Sequence, residues 1–184
     1  MPDLILLNGP PASGKSTLAA ALVARRPLAL NLDIDLVRGS LGQWRSTPGD
    51  AGLAARRLAL AMAGTHLGFG HDVIVPQFLA REEFIDQLAV AAVTAEARFV
   101  EVALLLDRDD AVAVFQRRSA QPASEQHRDA AEAVSAAGGV DALLAMYDMY
   151  VDMLELRPLA RRVDVVVGDI AATVERVESA VALN

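Results

Sequence analysis

Short apolar runs alternate along the chain with longer stretches of helical period. The apolar runs predict five buried strands, at 4–7, 28–32, 73–75, 98–107 and 163–167. Helical patterns lie between or after these runs, at about 15–25, 53–67, 81–95, 110–119 and 170–183. Repeated strand-then-helix units are typical of a parallel sheet covered by helices on both faces. The pattern therefore predicts an α/β fold with three layers, α/β/α, around a five-stranded parallel sheet.

Two stretches interrupt this alternation. Residues 40–52 are rich in turn-forming residues, which predicts a mobile loop. Residues 119–139 are polar at first and weakly helical afterwards, and they end in two glycines. Their place between two helices predicts a lid. Because no other stretch reads as a long linker, the chain is expected to form one domain over residues 1–184.

The composition is that of a globular protein. Apolar residues make up 53% and charged residues 22% of the 184 positions, and the absence of cysteine excludes disulfides and thiolate metal sites. The first residues lack the basic segment of a signal peptide, and no stretch approaches about eighteen uncharged apolar residues. We therefore expect a cytoplasmic protein that does not enter a membrane. The net charge of −7 disfavours a broad nucleic-acid surface, although a local basic cleft stays open.

The first predicted strand leads into a glycine-rich motif. The stretch GPPASGKS fits G-x-x-x-x-G-K-[ST], and it lies between a strand and a helix, as a phosphate-binding loop requires. Glycines let backbone N–H groups turn onto phosphate oxygens, and the helix N-terminus adds partial positive charge. We predict that Ser16 binds Mg²⁺ and that the whole loop binds ATP: Gly9, Pro10, Pro11, Ala12, Ser13, Gly14, Lys15, Ser16 and Thr17.

Lys15 is the only lysine in a chain that otherwise uses arginine for its fixed positive charges. A narrow ammonium group can lie along the loop and reach two phosphates, whereas a planar guanidinium is wider and holds its donors in a fixed fork. Lys15 is therefore predicted to contact the outer phosphates. Because a guanine-reading Asn-Lys-x-Asp motif would need a second lysine, the sequence excludes a GTPase that uses that motif.

Charged residues follow the second predicted strand, in the stretch NLDIDLVRGSL at 31–41. Ligands of parallel sheets collect beyond the carboxyl ends of the strands, so this stretch should face the phosphate loop. Asp35 is predicted to accept the proton of an acceptor hydroxyl, as a general base, and Arg38 to orient the acceptor. Asp33 has two open roles, as the N-cap of the following turn or as a ligand of water on Mg²⁺.

The third predicted strand runs into Pro76 and Gln77. A motor or large oligomeric ATPase would carry an Asp-Glu pair after this apolar run. With the guanine motif also absent, a small kinase is the predicted class.

GPPASGKST followed by NLDIDLVRGSL resembles the small P-loop kinases grouped around phage-type polynucleotide 5′-hydroxyl kinase, chloramphenicol phosphotransferase and the zeta toxins. The resemblance implies a P-loop NTPase fold with a helical lid, a general base at Asp35 and, as in polynucleotide kinases, an arginine at Arg38. Residues 108–120 and 140–150 are similar to the helices on either side of their lid. Gln77 departs from the acidic residue of these relatives, and Asp33 is the candidate to compensate.

Arg117 and Arg118 end the helix ahead of the predicted lid. Such a side chain could stabilise the charge on a transferring phosphoryl group once the lid closes, and the structural alternative is a favourable cation at a helix C-terminus. The sequence does not choose between the two arginines. Trp44, in the turn-rich loop, could stack on a substrate ring or cover the core.

These observations predict an enzyme that moves the γ-phosphoryl group of ATP, with Mg²⁺, to a hydroxyl. The acidic net charge favours a small-molecule acceptor over a nucleic acid. A polynucleotide 5′-hydroxyl kinase is the alternative enzyme. A nucleotide-binding regulator without phosphotransfer is the alternative of another class, and the missing acid at Gln77 is its only support.

Overall fold

The computed structural model describes residues 1–121 and 125–183, with side chains described up to residue 121 and from residue 128 onward. These ranges hold five strands and eight helices. The strands are β1 (Asp3–Asn8), β2 (Leu30–Asn31), β3 (Val73–Pro76), β4 (Arg98–Leu105) and β5 (Arg161–Asp164). The helices are α1 (Lys15–Val23), α2 (Ile34–Gly39), α3 (Pro48–Gly68), α4 (Glu82–Thr94), α5 (Arg108–Ala120), α6 (Glu125–Ala136), α7 (Val140–Glu155) and α8 (Ile170–Ala182).

The strands of the described chain form one parallel sheet in the order β2-β3-β1-β4-β5. This confirms the predicted α/β fold and its five-stranded parallel sheet. The chain passes from β3 on one side of β1 to β4 on the other side. A parallel sheet binds its ligands at such a change of direction, beyond the carboxyl ends of the strands. The phosphate loop after β1 lies at that point.

Alternate residues of the strands build two separate cores, which is why the apolar runs are continuous. On one face, Leu4 and Leu6 of β1 pack with side chains of α3, α4 and α7. On the other face, Ile5 and Leu7 pack with side chains of α1 and α8. The helices therefore cover both faces and complete the three layers.

A third group of apolar side chains joins the phosphate loop to the predicted lid. Ala12 of the loop packs with Phe115 of α5, Val134 of α6 and Leu143 of α7. We call these four residues the lid cluster. The predicted lid, 119–139, includes α6, and its residues 122–124 lie outside the described residues.

Several predicted boundaries were wrong. The predicted loop 40–52 ends at Thr47, because Pro48 occupies the first turn of α3, where the missing N–H of proline costs nothing. Residues 34–39 form the short helix α2, which the sequence had suggested only as a turn. The strand predicted at 163–167 is instead Arg161–Asp164.

Candidate functional site

The phosphate loop contains the left-handed backbone conformations that its glycines permit. Gly14 has a φ of 82°, a left-handed conformation that favours glycine, and α1 begins at the next residue. A Cβ on Gly9 would lie 2.6 Å from the Ser13 hydroxyl oxygen and 3.0 Å from Leu104 Cβ, so a side chain at this position would force these groups to shift. Ala12 also has a left-handed φ, of 69°. The loop is thus a tight turn around the N-terminus of α1.

The Lys15 ammonium lies on the loop itself. Its Nζ donates hydrogen bonds to the carbonyl oxygens of Gly9 and Pro10, each at 2.9 Å. Burial, and after it the positive charge of Arg118, lower the pKa of Lys15 from 10.5 to about 7, while the carboxylates of Asp35 and Asp33 act in the opposite direction. Charged groups on both sides of the predicted site therefore affect the pKa of Lys15.

Asn8 fixes the start of the loop, and it was not among the residues predicted from the sequence. Its fully buried side chain accepts from the N–H groups of Gly9 and Leu79 and donates to the Leu79 carbonyl, each at 2.9 Å. Tyr150 of α7 donates from below to the carbonyl oxygens of Asn8 and Leu104, each at 3.2 Å. The sequence signal that could have identified Asn8 was its place as a polar residue at the end of an apolar strand.

The carboxylates predicted after β2 lie on the first turn of α2. Asp33 is the N-cap of α2, and its Oδ1 accepts from the N–H groups of Asp35, at 2.9 Å, and Leu36, at 3.4 Å. Burial, followed by the charge of Asp35, raises the pKa of Asp33. Asp35 Oδ1 lies 3.1 Å from Nη2 of Arg38, one turn later. The capping role of Asp33 is therefore present, and it does not remove Asp33 from the cleft.

The loop after α2 contacts α6, which lies in the predicted lid. The guanidinium carbons of Arg38 and Arg45 lie 4.8 Å and 4.4 Å from the centre of the Trp44 ring. Arg45 Nη2 donates to both carboxylate oxygens of Asp129 on α6, at 2.9 Å and 3.1 Å. Trp44 thus packs against two arginines on the α2 side of the cleft, and Arg45 joins that side to α6.

The two arginines at the end of α5 differ in their surroundings. Arg117 is exposed, whereas Arg118 is partly buried, with its guanidinium carbon 5.7 Å from the centre of the Phe115 ring. Burial lowers the pKa of Arg118. Both arginines line the cleft, and Arg118 is the one whose charge affects Lys15.

A single cleft of about 960 Å³ brings the predicted residues together. It is bounded by the phosphate loop, α2, the ends of β3 and β5, α5 and α6. The predicted residues on its wall are Pro11, Ala12, Ser13, Gly14, Lys15, Ser16, Thr17, Asp33, Asp35, Arg38, Arg117 and Arg118. Gly9 and Pro10 do not line the cleft. Their carbonyl oxygens accept hydrogen bonds from Lys15 Nζ, and Gly9 lies close to Ser13.

Gln77 also lines the cleft, at the position where the resembling kinases carry an acid. Its backbone N–H donates to the Leu7 carbonyl, at 3.1 Å. Its side-chain Oε1 is buried and, among the described residues, has no hydrogen-bond donor. An amide at this place presents a donor and an acceptor to the cleft without adding charge.

The oxygen donors at the loop suit Mg²⁺ that arrives with a nucleotide. Within the described residues no three of His, Cys, Asp or Glu are grouped so as to hold a metal ion by themselves. Mg²⁺ prefers oxygen ligands and is commonly held by one or two protein groups, waters and substrate phosphates. The Ser16 hydroxyl and the Asp33 carboxylate face the same cleft and match that donor set.

A profile of the AAA domain family matches residues 4–138. The chain belongs to the AAA domain family. This match includes the phosphate loop, α2 and the helices that lead into α6. No curated protein sequence matches this member of the AAA domain family.

Solved structures share the fold of this AAA domain protein. A gluconokinase from Sinorhizobium meliloti 1021 is 17% identical with a TM-score of 0.62, covering 98% of this chain and 92% of that one. A tunicamycin resistance protein from Deinococcus radiodurans is 15% identical with a TM-score of 0.64, covering 100% and 98%. A protein from Chloroflexus aurantiacus j-10-fl is 21% identical with a TM-score of 0.64, covering 98% and 96%. At identities this low, it is the TM-scores and the coverage of both chains that show a shared P-loop fold.

None of the described helices combines the length and the apolar character that crossing a bilayer requires.

Proposed function

We propose that this AAA domain protein is a kinase that transfers the γ-phosphoryl group of ATP to a hydroxyl of a small molecule. The proposal rests mainly on one observation: Lys15 and the Asp35–Arg38 pair line the same cleft. The charges of Asp33, Asp35 and Arg118 all act on Lys15, so the groups for phosphate binding, proton removal and charge stabilisation are close together.

The phosphates of ATP would bind between the loop and the start of α1. Pro10 and Pro11 have no N–H to donate, so the donors come from the part of the loop nearest α1, through Thr17. Lys15 would exchange its two loop carbonyls for oxygens of the outer phosphates. Ser16, with Asp33 through water, would hold Mg²⁺. The bound ion would neutralise charge that develops on the phosphates during transfer.

Asp35 is the proposed general base. It lies on the first turn of α2 with its side chain about half exposed to the cleft, so an acceptor hydroxyl can reach its free oxygen. Arg38 holds the other oxygen and would orient the acceptor. Arg117 and Arg118, from α5, would offset the charge on the transferring phosphoryl group.

Two further observations favour a small-molecule kinase. One of the similar structures is a gluconokinase, although at 17% identity it supports the fold first and the reaction only by analogy. The net charge of −7 disfavours a polyanionic acceptor such as a nucleic acid. The end of β3, at Pro76 and Gln77, also lacks the acidic pair expected of a motor ATPase.

The deciding experiment removes the proposed base. Asp35→Asn should keep the rise in melting temperature caused by Mg-ATP, because the phosphate loop is untouched, and lose about 100- to 10,000-fold in transfer of labelled phosphate from ATP to a panel of hydroxyl compounds. Lys15→Ala should lose the melting-temperature rise itself. Asp141→Asn is the matched control, because Asp141 is also an exposed acid on the first turn of a helix but lies outside the cleft.

The outcomes separate the alternatives. If Asp35→Asn transfers phosphate at the rate of the unmodified protein while Asp33→Asn is inactive, the base is Asp33. If the unmodified protein binds Mg-ATP but transfers label to no acceptor and to no water, the protein is a nucleotide-binding regulator and the proposed function is wrong.

A further inference from the structure

Arg118 is a partly buried cation on the wall of the cleft. Burial lowers its pKa, and among the described residues no carboxylate lies within ion-pair distance of its guanidinium. An arginine side chain that is held in one conformation loses about 2 kcal/mol of rotamer entropy. A contact other than an ion pair must therefore hold this guanidinium in place.

The aromatic ring of Phe115 provides that contact. The guanidinium carbon of Arg118 lies 5.7 Å from the centre of the Phe115 ring. A guanidinium at this range is attracted to an aromatic ring, and more strongly where water is partly excluded. The two residues are three positions apart on α5, so they are neighbours on one face of the helix. The place of the ring therefore limits the place of the guanidinium.

The Phe115 ring is itself held by three other elements. Phe115 is only 7% exposed, and within the lid cluster it packs with Val134 of α6, Leu143 of α7 and Ala12 of the phosphate loop. A side chain that is packed on several sides has little room to shift. The contact with Ala12 ties the ring to the loop that carries Lys15, so loop and ring are positioned together.

The backbone of Ala12 is strained at this contact. Its φ of 69° is left-handed, which costs on the order of 1 kcal/mol for a residue that has a Cβ. The methyl group of Ala12 is buried in the lid cluster, and this burial offsets part of the cost. Ala12 thus places an apolar group where the loop meets Phe115.

We propose that Phe115, held against Ala12 by the lid cluster, positions the Arg118 guanidinium beside the phosphates that the loop binds. The proposal rests on the proposed kinase function. It makes Phe115 and Ala12 positioning residues, which act through Arg118. A charge that packing already holds in place needs little reorganisation while the phosphoryl group is transferred, and such preorganised charges are the ones that stabilise a transition state most.

The first test removes the ring and keeps an apolar side chain. With labelled ATP and the full chain, Phe115→Leu should lower turnover about tenfold and change the Kd of ADP less than about twofold, because a misplaced charge matters mainly in the transition state. Phe84→Leu is the matched control. Phe84 is 5% exposed and its ring centre lies 5.6 Å from the guanidinium carbon of Arg56, but both residues lie outside the cleft. At a temperature where each variant is folded, this control should keep the turnover of the unmodified protein.

A double-mutant cycle separates positioning from a general packing role. Once Arg118→Ala has removed the guanidinium, Phe115→Leu has no charge left to position, so its further effect on turnover should be less than about twofold. Equal losses with and without Arg118 would show that Phe115 supports only the fold, and would contradict the proposal. A loss in Phe84→Leu as large as the loss in Phe115→Leu would contradict it too.

Ala12→Gly tests the same link without removing a large side chain from the core. Glycine accepts the left-handed φ, so the variant should fold, but it has no methyl group to contact Phe115. Turnover should fall about threefold, and not at all where Arg118 is already alanine. A loss that persists without Arg118 would contradict the role of Ala12. Glu96→Gly is the control: Glu96 also has a left-handed φ, of 53°, but is exposed outside the cleft, so turnover should stay unchanged.

A measurement without phosphotransfer distinguishes failure of this inference from failure of the kinase function. Lys15 is the only lysine, so labelling lysine with ¹³C gives one side-chain ε signal, on which the charge of Arg118 acts. Compared at one pH, Phe115→Leu should displace this signal in the same direction as Arg118→Ala, and much less where Arg118 is absent. Equal displacement in both backgrounds would overturn the positioning role. The expected displacement, together with an unmodified protein that releases no phosphate from ATP, would make only the kinase function wrong.

Discussion

At the scale of single residues, Lys15 combines a positive charge with a buried position on its own loop. Its ammonium binds two carbonyl oxygens of its own loop, and burial together with Arg118 makes the charged form costly. A triphosphate reverses this balance, because several negative oxygens would surround the amine. Nucleotide binding and protonation of Lys15 are therefore expected to be linked.

We predict that binding of ATP at pH 8 takes up close to one proton. The pKa of Lys15 is about 7 in the free protein, so at pH 8 the amine is mostly neutral, and the bound phosphates raise its pKa again. The affinity should therefore decrease as the pH rises above about 7. Titration calorimetry at pH 8 in buffers of different ionisation enthalpy measures the uptake.

Arg118→Ala provides the control for this linkage. Removing the nearby cation raises the pKa of Lys15 in the free protein, so the variant should take up a smaller fraction of a proton. Proton uptake of zero in the unmodified protein would mean that Lys15 is already charged before the nucleotide binds.

At the scale of elements, the last turn of α5 places two arginines on the wall of the cleft. Their positions are unequal: Arg118 is partly buried beside Phe115, and Arg117 is exposed. The sequence could not distinguish them, because adjacent residues on a helix point in different directions and the direction depends on what the helix packs against.

Replacing Arg117 and Arg118 together by alanine should lower turnover by about a thousandfold and leave ADP affinity nearly unchanged, because their charge is needed mainly in the transition state. Of the single variants, Arg118→Ala should carry the larger loss. Steady-state rates and ADP titrations measure the two quantities. Equal losses in ADP affinity and in turnover would make these arginines contacts of the bound nucleotide.

The junction between β1 and the phosphate loop depends on Asn8. Asn8→Ala leaves the N–H groups of Gly9 and Leu79 and the Leu79 carbonyl without their partner, and should lower the free energy of unfolding by about 3 kcal/mol. Urea unfolding measures the loss. Asn31→Ala is the matched control at the end of β2, where the side-chain oxygen has no partner among the described residues, and should cost less than about 1 kcal/mol. Similar losses in the two variants would contradict this role of Asn8.

Much of the fold followed from apolar runs, but contacts between distant segments did not. The three central strands, β1, β3 and β4, are continuous and largely apolar, so their existence was predicted correctly. The start of α3 was missed because Pro48 and Gly49 resemble loop residues until their position in the first helical turn is known. The Arg45–Asp129 pair joins residues 84 positions apart, and no local sequence pattern predicts such a contact.

At the scale of the whole molecule, the cleft and a separate ion-pair network occupy different regions. Arg157, just after α7, binds the buried Glu101 of β4 through Nε and Nη2, at 3.0 Å and 2.9 Å, and Asp86 of α4 at 2.7 Å. None of these residues lines the cleft. The network holds α4, β4 and the end of α7 together without taking part in the site.

Arg157→Met should therefore reduce stability and spare phosphotransfer. It leaves the Glu101 carboxylate buried without its cation, which costs about 3–5 kcal/mol of the free energy of unfolding. The loss should shrink at lower pH, because burial already raises the pKa of Glu101 and the neutral acid needs no cation. Urea unfolding at two pH values and transfer rates at low temperature measure both effects.

Arg108→Met is the control for this variant. Its ion pair with Asp148 is exposed, with side-chain exposures of 49% and 57%, so the variant should lose less than about 1 kcal/mol. A large stability loss in Arg108→Met, or a lowered transfer rate in folded Arg157→Met, would contradict the separation of stability from function.

The chain has one side-chain amine, Nζ of Lys15. An amine attacks acylating reagents only in its unprotonated form, and a pKa of about 7 leaves roughly half of this amine unprotonated at neutral pH. An ordinary exposed lysine is almost entirely protonated under the same conditions. A small activated ester that enters the cleft should therefore react at this nitrogen, and a nucleotide bound as proposed should shield it. Apart from the α-amine of Met1, an acylating probe or inhibitor therefore finds one amine in the chain, at the centre of its site.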